Sequence, residues 1–163
     1  MEGNLFASAA LFGWIPVVVV LFLLLPRTRA VVWSFVLGWA FLPTASLSLP
    51  GIPDFSKVTA TSLGIALAAI LFDFARVSRF RPRWCDFPMA IFCVCPLASS
   101  LSNGLGAYDG LSAVIESVVG WGLPYLIGRL YFTDARALRE LAIGMVGGAL
   151  LYVPLCWFEI RLS

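Results

Sequence analysis

The stretch LFASAALFGWIPVVVVLFLLL, Leu5 to Leu25, runs for 21 residues without a charged side chain. At ~1.5 Å of rise per residue, a helix of that length matches the thickness of a bilayer's hydrocarbon core. It spans alone. Its leader Met-Glu-Gly-Asn carries no basic residue, and the run is longer than the apolar stretch of about 7–15 residues in a secretion signal. The stretch is therefore read as a retained helix rather than a cleaved leader.

Runs of the same kind recur along the chain. They place spans at Leu5–Leu25, Ala30–Leu49, Val58–Phe74, Phe87–Leu101, Leu111–Phe132 and Leu138–Phe158. The expected fold class is all-α: a polytopic transmembrane bundle of about six spans, forming one helical domain over residues 1–163. Composition agrees, since 61% of residues are hydrophobic and 12% charged, with a mean hydropathy of +0.95. A water-soluble fold of this length has no interior large enough for that much apolar surface. The fourth run is short, opens at Pro88, contains Pro96 and leads into Ser99-Ser100-Leu101-Ser102-Asn103-Gly104. It is read either as a short span or as a broken or re-entrant helix, which survives at membrane depth only against protein or a wet cavity.

Nine of the eleven basic residues fall in or beside alternate connections: Arg27 and Arg29; Arg76, Arg79, Arg81 and Arg83; and Arg129, Arg136 and Arg139. Such segregation marks the cytoplasmic face, so both termini are expected outside a multi-pass protein of the cytoplasmic (inner) membrane. The net charge of +2 is small. It reads as orientation and implies no nucleic-acid partner. Anionic headgroups suffice for the four-arginine cluster, and membrane lipids are the partners implied throughout. Arg129, Tyr125 and Tyr131 read as a snorkelling cation within an aromatic belt.

There is no histidine, which removes histidine metal sites, Ser-His and Cys-His catalysis and histidine relays. Cys85, Cys93, Cys95 and Cys156 show no metal-type pair spacing and read as small hydrophobes. No cofactor and no catalytic residue follows from these patterns. Gly144 with Gly148, and Gly64 with Ala68, have the four-residue spacing that lets helices approach closely, within the chain or between copies. Gly120, Gly122 and Pro124 predict a kink in the fifth span. Asp73 stands three residues before Arg76, a spacing that allows an ion pair. Folding the fifth and sixth spans into a hairpin about Ala135 would bring Glu116, Glu159 and Arg161 to one outer rim. There they form a candidate polar site for an anionic lipid-linked substrate or an ion pair closing the hairpin, or are simply exposed to headgroup water.

Three segments, Leu101-Ser102-Asn103-Gly104 through Tyr108-Asp109, Trp121-Gly122-Leu123-Pro124-Tyr125-Leu126-Ile127-Gly128-Arg129, and Tyr152-Val153-Pro154-Leu155 with Glu159-Ile160-Arg161-Leu162-Ser163, resemble the N-terminal half of bacterial O-antigen ligase/polymerase-like membrane proteins. The resemblance implies a module for transfer of undecaprenyl-pyrophosphate-linked glycans, in lipopolysaccharide-type biosynthesis. The family's key arginine and histidine positions lie in a large outer loop that has no counterpart here. The chain is accordingly expected to be an N-terminal fragment, a truncated reading frame or a degenerate relative, not catalytic alone; as a fragment it would be completed by a C-terminal catalytic half. The alternative is a small non-enzymatic membrane scaffold or assembly subunit.

Overall fold

A computed structural model of the chain describes residues 5–45, 47–49 and 52–162. Helix α1 (Leu5–Leu24) is followed by α2 (Arg27–Phe41), a ribbon of β1 (Leu47–Leu49) and β2 (Ile52–Phe55), then α3 (Lys57–Phe72) and the short α4 (Phe74–Ser78). A 3₁₀ turn, Trp84–Asp86, leads into α5 (Phe87–Ser102). Next come α6 (Ala107–Ser117), a π-helical turn Val118–Gly122, α7 (Leu123–Tyr131) and the long α8 (Ala135–Leu162). Apart from the antiparallel ribbon, which pairs Leu47 with Phe55 and Leu49 with Ile52, the fold is all-helical.

Among the described residues, four helical stretches are long and apolar enough to cross a membrane: Phe6–Leu24, Trp84–Ser102, Ala107–Tyr131 and Ala135–Arg161. Two spans read from the sequence come out shorter. The second ends at Phe41, because Pro43 biases Leu42 out of the helical region. Leu42 is extended, its N–H closing the last turn on the Gly38 carbonyl at 3.2 Å. The third is the 16-residue α3, capped by Ser56. The fourth run is not broken: α5 passes through Pro96 without interruption. Residues 50–51, between the two strands, lie outside the described residues.

The core forms where α1, α2, α3 and α7 meet. Along α1, only Ala7, Leu11, Trp14, Val18 and Phe22 are buried, steps of three and four that make one stripe of an otherwise uniformly apolar helix. The remaining faces are those a bilayer covers. Opposite the stripe lie Ala60, Ile65, Ala68 and Ala69 of α3. Gly64 rests on Val18 and Ile15, so the Gly64/Ala68 pair packs α3 on α1. Phe22 stacks near Phe72 at one end and Phe12 on Phe55 at the other, so α1 and α3 run parallel. Helices α5 and α6 form an antiparallel pair whose turn needs left-handed backbone at Gly104 (φ 70°) and Gly106 (φ 97°). Ser100 Oγ ties that turn by donating to the Gly106 carbonyl at 2.8 Å.

Helix α8 does not fold back along α6 and α7. It packs on α2, in parallel: Arg29 pairs with Glu140, Gly144 sits against Val32 and Gly148 against Val36. The missing side chains at Gly144 and Gly148 make a groove that accepts two valines.

Candidate functional site

The residues that end α3 also build one end of the bundle. The Asp73 N–H closes the helix on the Ala69 carbonyl at 2.9 Å. The next exposed carbonyl, Phe72, accepts from Arg27 Nε and Nη2 at 3.1 and 2.8 Å, a cation at a helix C-terminus as the helix dipole favours. Arg76 forms the i,i+3 pair with Asp73 at 3.1 Å. It also donates to the Leu130 carbonyl at 3.4 Å and lies 4.9 Å from the centre of the Tyr131 ring. One guanidinium thus joins α4 to the end of α7.

A second carboxylate organises the opposite wall. Asp86 Oδ1 accepts from Arg129 Nε at 2.9 Å and from the Tyr125 hydroxyl at 2.6 Å. Its Oδ2 accepts from the Arg83 backbone N–H at 2.7 Å and from Arg129 Nη2 at 3.4 Å. Tyr125 and Arg129 are four residues apart and share one helix face, so both reach the turn that precedes α5. Arg129 here is a bidentate clamp, not a free snorkelling cation. The exposures of 27% for Arg129 and 14% for Asp86 leave this pair better shielded than Arg29–Glu140, where Arg29 is 54% exposed.

Between the two carboxylates lies a cleft of about 860 Å³, lined by five arginines, Arg76, Arg79, Arg81, Arg83 and Arg129. Asp73 and Asp86 compensate Arg76 and Arg129. Arg79, Arg81 and Arg83 form no ion pair among the described residues, and all three are exposed. A neighbouring cleft carries Arg29, Arg136 and Arg139 against Asp134 and Glu140, an excess of one positive charge. The first cleft carries the larger excess, five arginines against Asp73 and Asp86, and it attracts anions.

The residues singled out from sequence fall elsewhere. Glu116, Glu159 and Arg161 are exposed and make no ion pair with one another among the described residues. Because α8 follows α2, the outer rim they were expected to share is not assembled. Gly120 and Gly122 lie in the π-helical turn, and Pro124 is the second residue of α7. The physical cause is local: a proline ring clashes with the carbonyl four residues back, here Gly120, and one wider turn relieves it. Gly122 faces Cys93, the one fully buried cysteine; Cys156 is half-buried, and Cys85 and Cys95 are exposed rather than packed inside. Among the described residues, no group of three or more Cys, Asp or Glu side chains is placed to hold a metal ion. Searches against protein-family models, curated proteins and solved structures find no match to this chain, so the cleft is judged on its own geometry.

Proposed function

We propose that the chain is a non-catalytic helical membrane module that binds phosphate-bearing lipid headgroups in its arginine-lined cleft. In this reading it crosses the inner membrane six times, through α1, α2, α3, α5, the α6–α7 unit and α8. The arginine connections are cytoplasmic and both termini are outside. The parallel pairs α1 with α3 and α2 with α8 are consistent with that alternation. The observation that carries the reading is the trio Arg79, Arg81 and Arg83, concentrated around one concavity without carboxylate partners. A solvated charge run would gain nothing from sharing a cleft, whereas a headgroup supplies the missing anion.

A second reading keeps the glycan-transfer module, working with a C-terminal half that supplies catalysis on an undecaprenyl-pyrophosphate-linked glycan. What favours it is that two of the three resembling segments, Leu101–Asp109 and Trp121–Arg129, share one packed unit, α5 to α7. That activity belongs to the outer face, opposite the cleft.

Lipid retention tests the first reading. After purification in mild detergent, mass spectrometry is expected to find anionic phospholipid in stoichiometric amount. It should be lost from the variant combining Arg79→Gln, Arg81→Gln and Arg83→Gln, and kept by Arg136→Gln/Arg139→Gln, which removes charge from the neighbouring cleft. Equal retention by all three proteins would contradict the proposal.

A further inference from the structure

We infer that the cleft selects a phosphate monoester, a terminal phosphate able to carry two charges, over the phosphodiester of an ordinary headgroup. The inference rests on the headgroup-binding reading above and adds the class of headgroup.

Charge is the first argument. A phosphodiester brings one negative charge, which leaves the three unpartnered guanidinium groups largely uncompensated. A monoester brings about −1.5 to −2 at neutral pH and three acceptor oxygens. Arginine forks suit such a group, because each can offer two parallel donors to a pair of its oxygens.

Shape is the second. Arg79, Phe80, Arg81 and Arg83 line the cleft while Pro82 does not. They occupy the non-helical connection between α4 and the 3₁₀ turn, and Arg83 is extended (φ −122°, ψ 165°). Arg79 closes α4 in helical conformation (φ −84°, ψ 0°), whereas Arg81, which Pro82 biases towards extended backbone, and Arg83 are alternate residues that line the same cleft. Pro82 stiffens the segment, and the Arg83 N–H is pinned by Asp86. Across the cleft, Arg129 spends Nε and Nη2 on Asp86, which holds the guanidinium in place and leaves Nη1 for a ligand. The Arg129 guanidinium and the backbone of Arg83 are therefore held before any anion arrives, which lowers the ordering cost of binding.

The third argument concerns the source of the phosphate. Phe80, Leu130 and Phe132 line the same cleft. Free phosphate has no use for apolar walls. An amphiphile does, with its phosphate among the arginines and its glycerol and first methylenes against these side chains.

The test titrates the full chain in detergent with short-chain phosphatidic acid, a monoester, and short-chain phosphatidylglycerol, a diester. Binding is read from tryptophan fluorescence, since Trp84 directly follows the arginine segment and is 88% exposed. Phosphatidic acid is expected to bind at least about tenfold tighter at pH 7, as one additional charge-assisted contact would give. Its affinity should rise across the second phosphate ionisation near pH ~6, while that of phosphatidylglycerol stays flat. Arg81→Gln/Arg83→Gln should remove the difference, with helical circular dichroism unchanged. Arg136→Gln should keep it. Inorganic phosphate is the competing arm: no displacement at millimolar concentration assigns the site to a lipid, and displacement assigns it to a soluble phosphate compound of the same chemistry. Equal affinity for the two lipids, lost in the arginine variant, would overturn the monoester selectivity and leave headgroup binding standing. Binding indifferent to the arginines would overturn both.

Discussion

Replacing Gly148 with leucine is expected to detach α8 from the bundle. Even the Cβ of an alanine there would run into Val36 Cγ1, and the same addition at Gly144 would run into Val32 Cγ1. Valine is β-branched and holds one preferred rotamer in a helix, so it does not swing aside cheaply. Overpacking a close interface costs about 1–3 kcal/mol, and a leucine against this groove belongs at the upper end. Little else holds the helix, since α8 packs only on α2 to any extent. The Arg29–Glu140 pair, with both side chains partly in solvent, adds little. The check is a thermal unfolding series in detergent with a compensating partner. Gly148→Leu should lower the midpoint most and Gly148→Ala less, while Val36→Ala with Gly148→Ala should recover most of the loss. Additive destabilisation in the double variant would show that the two residues do not meet.

At Gly38 the expected damage is to the centre rather than to one arm. A Cβ at this position would lie 2.7 Å from Thr61 Oγ1, 3.1 Å from Thr61 Cγ2 and 3.2 Å from Trp14 Nε1. Three helices therefore meet around the absent side chain. Thr61 has no free rotamer to yield, because its hydroxyl donates to the Lys57 carbonyl at 2.7 Å. Trp14 is buried against α3 and α2. Gly38→Leu is expected to cost about 3 kcal/mol and to lower the unfolding midpoint by roughly 5–10 °C. Gly13→Leu is the control, because open space surrounds a Cβ there. A Gly38 variant as stable as the Gly13 control would contradict the close meeting of α1, α2 and α3.

The helical class was legible because a bilayer demands long uncharged runs, and the run from Leu5 to Leu25 has no other use. The segregation of arginines was legible too, and the structure gathers Arg27, Arg76, Arg83 and Arg129 at one end of the bundle. Partnership across the sequence was not. Asp86 and Arg129 are separated by 43 positions, and nothing local marks Asp86 as the shared acceptor of Tyr125 and Arg129. The nearest signal was the four-residue step from Tyr125 to Arg129, which aims two donors from one helix face. Glu116, Glu159 and Arg161 are exposed and, among the described residues, unpaired with one another for a related reason. Adjacent spans were assumed to pack as a hairpin, but the Gly144–Gly148 groove is filled by α2, a partner more than a hundred residues away. The glycine spacing announces a close approach without naming what approaches.

Orientation of the cleft is the central claim, and cysteine labelling in cells tests it most directly. In a background lacking Cys85, Cys93, Cys95 and Cys156, single cysteines replace Pro82, in the arginine connection, or Leu105, at the α5–α6 turn. A membrane-impermeant thiol reagent is then added to intact and to permeabilised cells. The account expects Leu105→Cys to be labelled in intact cells and Pro82→Cys only after permeabilisation. Labelling of Pro82→Cys in intact cells, with Leu105→Cys protected, would turn the bundle over and remove the cleft from the cytoplasmic leaflet.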